Sequence, residues 1–181
     1  MIWILYLMIY SVMTREAFIK KLKREDYSYE IEGDKIVVTY GGNVDLRSLT
    51  SLPPGVEFRN KGSVHLTSLT SLPPGVVFEN GWGVDLSSLT SLPPGVEFKN
   101  GGVVDLESLT SLPPGVVFNN EDNVILNDLT SISSGVVFEN GGDVHLKALR
   151  GDWFSKWKGN IEGIDSKRLL NFMISKGIFE R

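Results

Sequence analysis

The octapeptide Leu-Thr-Ser-Leu-Pro-Pro-Gly-Val decides the fold, because it begins at Leu49, Leu69, Leu89 and Leu109. A degenerate copy, Leu-Thr-Ser-Ile-Ser-Ser-Gly-Val, begins at Leu129, again 20 residues further along the chain. No insertion interrupts this spacing. A fixed period of this length is the signature of a repeat protein, in which each unit packs on the next.

Each unit contains two short stretches in which apolar residues alternate with other residues. The first has the form Val-x-Leu, as in Val84 and Leu86, and the second has the form Val-x-Phe, as in Val96 and Phe98. Alternation with period two predicts two short strands. Pro-Pro-Gly before the second strand predicts one corner, and Asn-Gly-Gly or a variant after it predicts another.

A unit of 20 residues is too short for a β-α-β crossover, and two prolines preclude a helix across the corner. The sequence therefore predicts a mostly β, right-handed solenoid, in which each strand pairs with its equivalent about 4.8 Å away. Equivalent residues then stack. The predicted columns include phenylalanines (Phe58, Phe78, Phe98, Phe118, Phe138) and asparagines (Asn60, Asn80, Asn100, Asn120, Asn140).

The chain divides into an apolar leader (1–12), an N-terminal cap (13–42), the repeat solenoid (43–149) and a C-terminal helical cap (150–181). Thr14 predicts the N-cap of a helix over 15–25, and a turn at Gly33-Asp34 predicts a hairpin of two strands before the first full coil. The alternation at Ile36, Val38 and Tyr40 starts the repeat half a unit early. Capping is expected because open solenoid ends expose strand edges.

The C-terminal cap is predicted from an N-cap at Asp165 and an apolar stripe that ends before Gly177. The stripe comprises Leu169, Leu170, Met173 and Ile174, and the aromatic residues Trp153, Phe154 and Trp157 are expected to seal the last coil.

The leader Met-Ile-Trp-Ile-Leu-Tyr-Leu-Met-Ile-Tyr-Ser-Val has no basic residue before it and is too short to span a membrane. We expect an upstream extension outside the native protein, so that translation from Met13 leaves a folded chain. A membrane-associating or packing segment is the alternative.

The composition excludes several classes of function. Residues 43–142 carry eleven acidic and four basic side chains, a balance that repels nucleic acid. The chain has no cysteine, which suits a reducing compartment, so a cytoplasmic location is expected. His65 and His145 are 80 residues apart without clustered ligands, and no nucleotide or phosphate motif is present. We therefore expect no metal, no cofactor, no nucleic-acid partner and no membrane partner.

The unit Leu-Thr-Ser-Leu-Pro-Pro-Gly-Val, preceded by Val-x-Leu, resembles the leucine-rich repeat over residues 43 to about 149. The asparagine that normally follows Leu-x-Leu is missing, and an asparagine follows Val-x-Phe instead. The layout resembles short leucine-rich-repeat-like solenoid proteins of bacteria and phages. The resemblance implies a leucine-rich-repeat-like β-solenoid used for recognition, without shared catalytic residues.

The variable outward positions are the candidate binding residues, since a solenoid presents recognition residues on such columns. The first strand's outward column comprises Asp45, His65, Asp85, Asp105, Ile125 and His145. We select His65, Asp85, Asp105 and Glu107, together with Trp82 on a corner, as partner-binding residues. Trp82 could instead pack over a neighbouring corner. Repulsion between Asp85 and Asp105 is compatible with a cation site or an acid–base pair, although a solvated acidic face is the favoured interpretation.

The second strand's outward column comprises Glu57, Val77, Glu97, Val117 and Val137, in which the last two valines are expected to form a modest apolar strip. The asparagine column is expected to be structural, with amides bonded to one another and to the corner backbone.

Three functions remain open at this point. The first is a non-enzymatic protein–protein interaction module, for example a phage or mobile-element accessory protein that binds a host factor. The second is a glycan-binding or glycan-cleaving β-solenoid that uses Asp85, Asp105 and Glu107. The third is a structural component of a larger assembly. Homo-oligomerisation is left open.

Overall fold

The computed structural model describes residues 13–148 together with Asn171, Met173 and Ile174. Helix α1 spans Arg15–Arg24 and precedes the strands. The strands are β1 (Tyr29–Glu32), β2 (Lys35–Val38), β3 (Val44–Asp45), β4 (Val56–Phe58), β5 (Val64–His65), β6 (Val77–Phe78), β7 (Val84–Asp85), β8 (Glu97–Phe98), β9 (Val104–Asp105), β10 (Ser111–Leu112), β11 (Val117–Phe118), β12 (Val124–Ile125), β13 (Ser131–Ile132), β14 (Val137–Phe138) and β15 (Val144–His145).

The repeats form a parallel β-solenoid, which confirms the predicted architecture. Sheet A has the order β1-β2-β4-β6-β8-β11-β14, and sheet B has the order β15-β12-β9-β7-β5-β3. Every pairing within the coils is parallel and joins residues 20 apart, such as Phe78 with Phe98 and Val84 with Val104. The repeat period therefore sets the register of both sheets.

A third, smaller sheet was not predicted. In sheet C, β10 pairs with β13 in parallel, and Ser71 forms an isolated bridge with Ser91 at the equivalent position. The Ser-Leu dipeptide lies within a segment that we interpreted as a corner. Where a proline follows, as Pro113 follows Leu112, it favours an extended backbone for the residue before it. β13 precedes Ser133, so its extended backbone follows from its pairing with β10 rather than from a proline.

The phenylalanine column runs through the core as predicted. Successive rings from Phe58 to Phe138 stack with centroid separations of 5.4, 5.5, 5.3 and 4.9 Å and interplanar angles of at most 8°. The rings of Phe58, Phe78, Phe98 and Phe118 are fully buried, and that of Phe138 is 2% exposed. Columns of valine and leucine from both predicted strands complete one continuous core.

The two predicted corners differ in backbone chemistry. Before sheet A, each unit turns at a glycine in the left-handed region, such as Gly95 with φ +72°. After sheet A, the asparagine column holds the turn, since Nδ2 of Asn100 donates to the carbonyl of Gly102 at 2.8 Å and to that of Trp82 at 3.1 Å. Each amide thus bridges the corners of two successive coils.

One detail of the asparagine prediction is wrong: the amides do not bond to one another. Their Nδ2 groups use carbonyl oxygens of the corner backbone as acceptors, because those carbonyls turn inward beside the column. Within the described part of the chain, the buried Oδ1 atoms of Asn60, Asn80, Asn100 and Asn120 have no hydrogen-bond donor.

The N-terminal cap follows the predicted plan. Thr14 Oγ1 accepts from the N–H of Ala17 at 3.1 Å, and α1 buries Phe18 and Leu22 against the first coil. β1 and β2 form the antiparallel hairpin, and β2 pairs in parallel with β4. The repeat therefore does begin half a unit early.

At the other end, the described residues are Asn171, Met173 and Ile174, which are helical. Asn171 Nδ2 donates to the Phe138 carbonyl at 2.9 Å, and the Phe138 N–H donates to Asn171 Oδ1 at 3.0 Å. Met173 and Ile174 are buried in the common core. The rest of the predicted C-terminal cap and the leader lie outside the described residues, so the complete cap stays a prediction, as does the handedness of the coil.

Candidate functional site

The outward column of sheet B brings three of the predicted site residues together. β5, β7 and β9 pair so that His65 lies beside Asp85, which lies beside Asp105. A shallow cavity of about 160 Å³ opens over them. Its lining comprises Ser63, His65, Gly83, Val84, Asp85, Val103 and Asp105. The stacked coils therefore convert residues 20 apart in sequence into one continuous site.

Local backbone hydrogen bonds orient the two carboxylates of the cavity. Asp85 Oδ1 accepts from the N–H of Ser87 at 3.2 Å, and Asp105 Oδ1 accepts from the N–H of Glu107 at 3.0 Å. A short aspartate side chain can reach the amide two residues further on, as it does in Asx turns.

The surroundings of Asp105 disfavour its ionised form. Burial is the main cause that raises the pKa of Asp105, the hydrogen bond from Glu107 N–H opposes it, and the charges of Asp85 and Glu107 raise it further. Repulsion by Asp85 therefore raises the pKa of Asp105 less than burial does. The sequence pattern alone did not indicate this order. Ionised Asp105 gains from any cation that approaches the cavity.

Asp45, one rung beyond His65, has the opposite environment. Arg47 donates its Nε and its backbone N–H to Asp45 Oδ1 at 2.9 and 3.2 Å, and its second guanidinium nitrogen bonds to Oδ2. These bonds lower the pKa of Asp45 to about 2. The end of the column is therefore charge-compensated, whereas its centre is not.

The other two predicted residues lie at the margin of the cavity. Glu107 is exposed, and its Oε1 accepts from Asn127 Nδ2 at 3.2 Å. Trp82 directly precedes Gly83 of the cavity lining, and its side chain is 67% exposed. Its carbonyl accepts from the amides of Asn80 and Asn100, so the corner that carries the indole is held by the asparagine column.

A second charged site lies on sheet A, and the sequence interpretation missed it. Glu57 belongs to the column that we expected to be exposed, yet the residue is only 3% exposed. Its two carboxylate oxygens contact Lys35 Nζ and an Arg59 guanidinium nitrogen. The hydrogen bond from Lys35 is the main cause that lowers the pKa of Glu57. Val37 is the register partner of Glu57, and Lys35 lies two residues before Val37. A diagonal cross-strand pairing of Lys35 with Glu57 is therefore the sequence signal that could have located this site.

The expected apolar strip on sheet A is less open than predicted. Val117 and Val137 pair in register on β11 and β14, but both are half-buried. Within residues 13–148, 171, 173 and 174, no three histidine, aspartate or glutamate side chains converge on a point that would hold a metal ion. The helical segments described here are too short or too polar to cross a bilayer.

Comparison with known proteins adds no relative. No family model matches the chain, and no curated protein or solved structure shows significant similarity to it.

Proposed function

We propose that this protein is a non-enzymatic interaction module that binds a protein partner through the central rungs of sheet B. The observation that carries the proposal is the cavity shared by His65, Asp85 and Asp105, with Trp82 on the adjoining corner. Tryptophan at the centre of an interface commonly supplies much of its binding energy. The resemblance to leucine-rich-repeat-like solenoids supports the same assignment.

The charges of this face favour a partner that presents basic side chains. Within residues 13–148, no salt bridge compensates Asp85, Asp105 or Glu107, whereas Asp45 is paired with Arg47. A lysine or arginine placed over the central rungs would supply the missing charge and would also accelerate association at low salt. The parallel ladders hold these side chains in place before binding, which reduces the entropy lost on association.

The glycan hypothesis has less support. Glycan-binding surfaces commonly stack sugar rings on tryptophan, tyrosine or phenylalanine, but the cavity lining contains none of these residues, and Trp82 lies on the adjoining corner. No observation favours turnover over binding at Asp85 and Asp105. A role as a component of a larger assembly is compatible with the fold, but no surface feature of residues 13–148 specifically supports it.

The test compares the chain with a variant in which Asp85→Asn and Asp105→Asn are combined. Both are used to capture partners from native cells, and the captured protein is then titrated by calorimetry at two salt concentrations. Because asparagine keeps the acceptor for the Ser87 and Glu107 amides, the fold should be unchanged. We expect partner affinity to fall about tenfold or more, with a weaker dependence on salt.

The matched control is the double change Glu121→Gln and Glu139→Gln, which removes the same charge from exposed positions outside the cavity. The control should keep the affinity of the parent chain. Equal affinity of the parent and the Asp85/Asp105 variant would remove the sheet B face from the proposal. Loss of turnover on a glycan with retained ligand affinity would favour the enzymatic alternative instead.

A further inference from the structure

We propose that a groove on sheet A is a second binding site, which accepts an arginine or lysine side chain from a protein partner. The groove lies between the Pro-Pro-Gly corners and the outward residues of sheet A. It shares no lining residue with the cavity on sheet B, so each of the two proposals can fail without affecting the other.

The groove is the larger of the two cavities, with a volume of about 370 Å³. This volume lies at the small end of the range of about 300–1,000 Å³ that is typical of ligand pockets. The corner segments 74–76 and 93–96 form one wall, and the half-buried side chain of Val77 lies on the sheet between them and the charged residues. The wall and Val77 offer apolar surface to an alkyl chain.

The strand ladder opens at the same point. β6 and β8 share a single register pair, Phe78 with Phe98, so Val77 and Glu97 do not pair. The flanking ladders each have two pairs, Glu57–Val77 with Phe58–Phe78 on one side and Glu97–Val117 with Phe98–Phe118 on the other. The parallel pairing is thus interrupted along the floor of the groove, whereas the neighbouring strand pairs keep both register pairs.

The ion-pair network that borders the groove carries one negative charge in excess. The lining itself is balanced, since it contains the carboxylates of Glu57, Glu79 and Glu97 and the cations of Lys35, Arg59 and Lys99. The fourth carboxylate, that of Glu32, lies outside the lining and also contacts Arg59, so four carboxylates share three cations. Arg59 contacts three of these carboxylates, and its contact with Glu79 is the longest, at 3.6 Å. Glu79 is therefore the least compensated group.

The distribution of partners indicates which carboxylates can receive a ligand. Both oxygens of Glu57 are occupied by Lys35 and Arg59, and the residue is buried. Glu79 and Glu97 are partly exposed, and Glu97 contacts Lys99 through Oε2 alone, at 2.9 Å. A cation on an alkyl stem matches this arrangement, because the stem packs on Val77 and the corner prolines while the charged head reaches Glu79 and Glu97. An anionic ligand would add to the excess negative charge.

The probe is an acetylated and amidated Gly-Gly-Arg-Gly-Gly peptide, titrated into the ¹⁵N-labelled full chain and followed by NMR. Its matched control replaces arginine with citrulline, which has nearly the same shape and no charge. We expect saturable shifts at Val77, Glu79, Val96 and Glu97 with the arginine peptide, and about tenfold weaker binding of the citrulline peptide.

The double variant Glu79→Gln and Glu97→Gln should weaken binding of the arginine peptide by a similar factor. Glu139→Gln, at the repeat position equivalent to Glu79 and outside the groove, should not weaken it. Both substitutions lie at partly exposed positions, so we expect the fold to be unchanged. The NMR spectrum of the free variant checks this expectation. Absence of shifts in the groove would overturn the proposal. Equal binding of the citrulline peptide, or shifts confined to Asp85 and Asp105 on sheet B, would overturn it as well.

Discussion

At the scale of single residues, position in the column decides how an aspartate behaves. Asp45 and Asp105 occupy equivalent positions of the 20-residue unit, and each accepts a hydrogen bond from the amide two residues further on. Their surroundings nevertheless shift their pKa values in opposite directions. The side-chain hydrogen bond from Arg47 lowers the pKa of Asp45, whereas burial is the main cause that raises the pKa of Asp105.

This difference predicts opposite effects of Asp-to-Asn substitution on stability. The raised pKa of Asp105 means that its ionised form destabilises the fold at neutral pH, so Asp105→Asn should increase the free energy of unfolding at pH 7. The gain should disappear as the pH falls below about 3.9, the ordinary pKa of aspartate, because the parent carboxyl is then protonated in both states. Urea melts of both chains at several pH values measure the effect.

Asp45→Asn is the control with the reverse sign. The lowered pKa of Asp45, about 2, means that its ionised form stabilises the fold above the ordinary aspartate pKa, and that this contribution is lost as the pH falls through about 2. The substitution should therefore reduce stability at pH 7, by a small amount because solvent screens the exposed pair with Arg47. Similar effects of the two substitutions at pH 7 would contradict the assigned environments.

At the scale of elements, the short strands are held in place by the columns that they carry. Most strands in the coils have two residues, too few to be stable as isolated pairs. The phenylalanine rings that they bury stack from coil to coil at 4.9–5.5 Å. The three inner rings, those of Phe78, Phe98 and Phe118, each stack on two neighbours, and Phe98 is the central one.

Replacement of this central ring, Phe98→Ala, should reduce the free energy of unfolding by about 3–5 kcal/mol. The stacked neighbours Phe78 and Phe118 belong to hydrogen-bonded coils, so the backbone cannot collapse around the hole. Phe98→Leu is the control and should cost less, since it keeps much of the buried volume. A loss below about 1 kcal/mol for Phe98→Ala in denaturant melts would mean that the column contributes little to the core.

At the scale of the whole molecule, the solenoid is an array in which each coil contacts its neighbours in the sequence. The element pairs with the most extensive contacts between coils join strands of successive units. The hairpin β1–β2 and helix α1 cover the first coil, and Asn171, Met173 and Ile174 contact the core beside the last phenylalanine. Such an array should tolerate a change in its number of coils when the register is kept.

Deletion of residues 83–102, one whole unit, should leave a folded and less stable chain, because β5 then meets β9 and β6 meets β11 in the same register. Deletion of residues 83–92, half a unit, is the control and should prevent cooperative folding, since unlike strands would then meet across the break. Circular dichroism and thermal melts of both chains measure the outcome. A folded half-unit deletion, or an unfolded whole-unit deletion, would contradict the repeat register.

The sequence by itself determined the period, the parallel stacking of equivalent residues, the phenylalanine column and the N-terminal hairpin. These features follow from the spacing of apolar residues and from turn chemistry, which are local properties of the chain. It also selected His65, Asp85 and Asp105 correctly as neighbours, because the 20-residue register alone places them on adjacent rungs.

Only the tertiary structure decided how deeply each outward residue is buried and which charges meet. Glu57 and Glu97 occupy equivalent positions of the unit, but only Glu57 is enclosed, by Lys35 from the cap hairpin and by Arg59. Sheet C, the bonding of the asparagine amides to corner carbonyls and the groove beside Val77 likewise depend on how three faces close into a coil. Burial and charge pairing are properties of several coils and a cap together, whereas a periodic pattern describes one coil at a time.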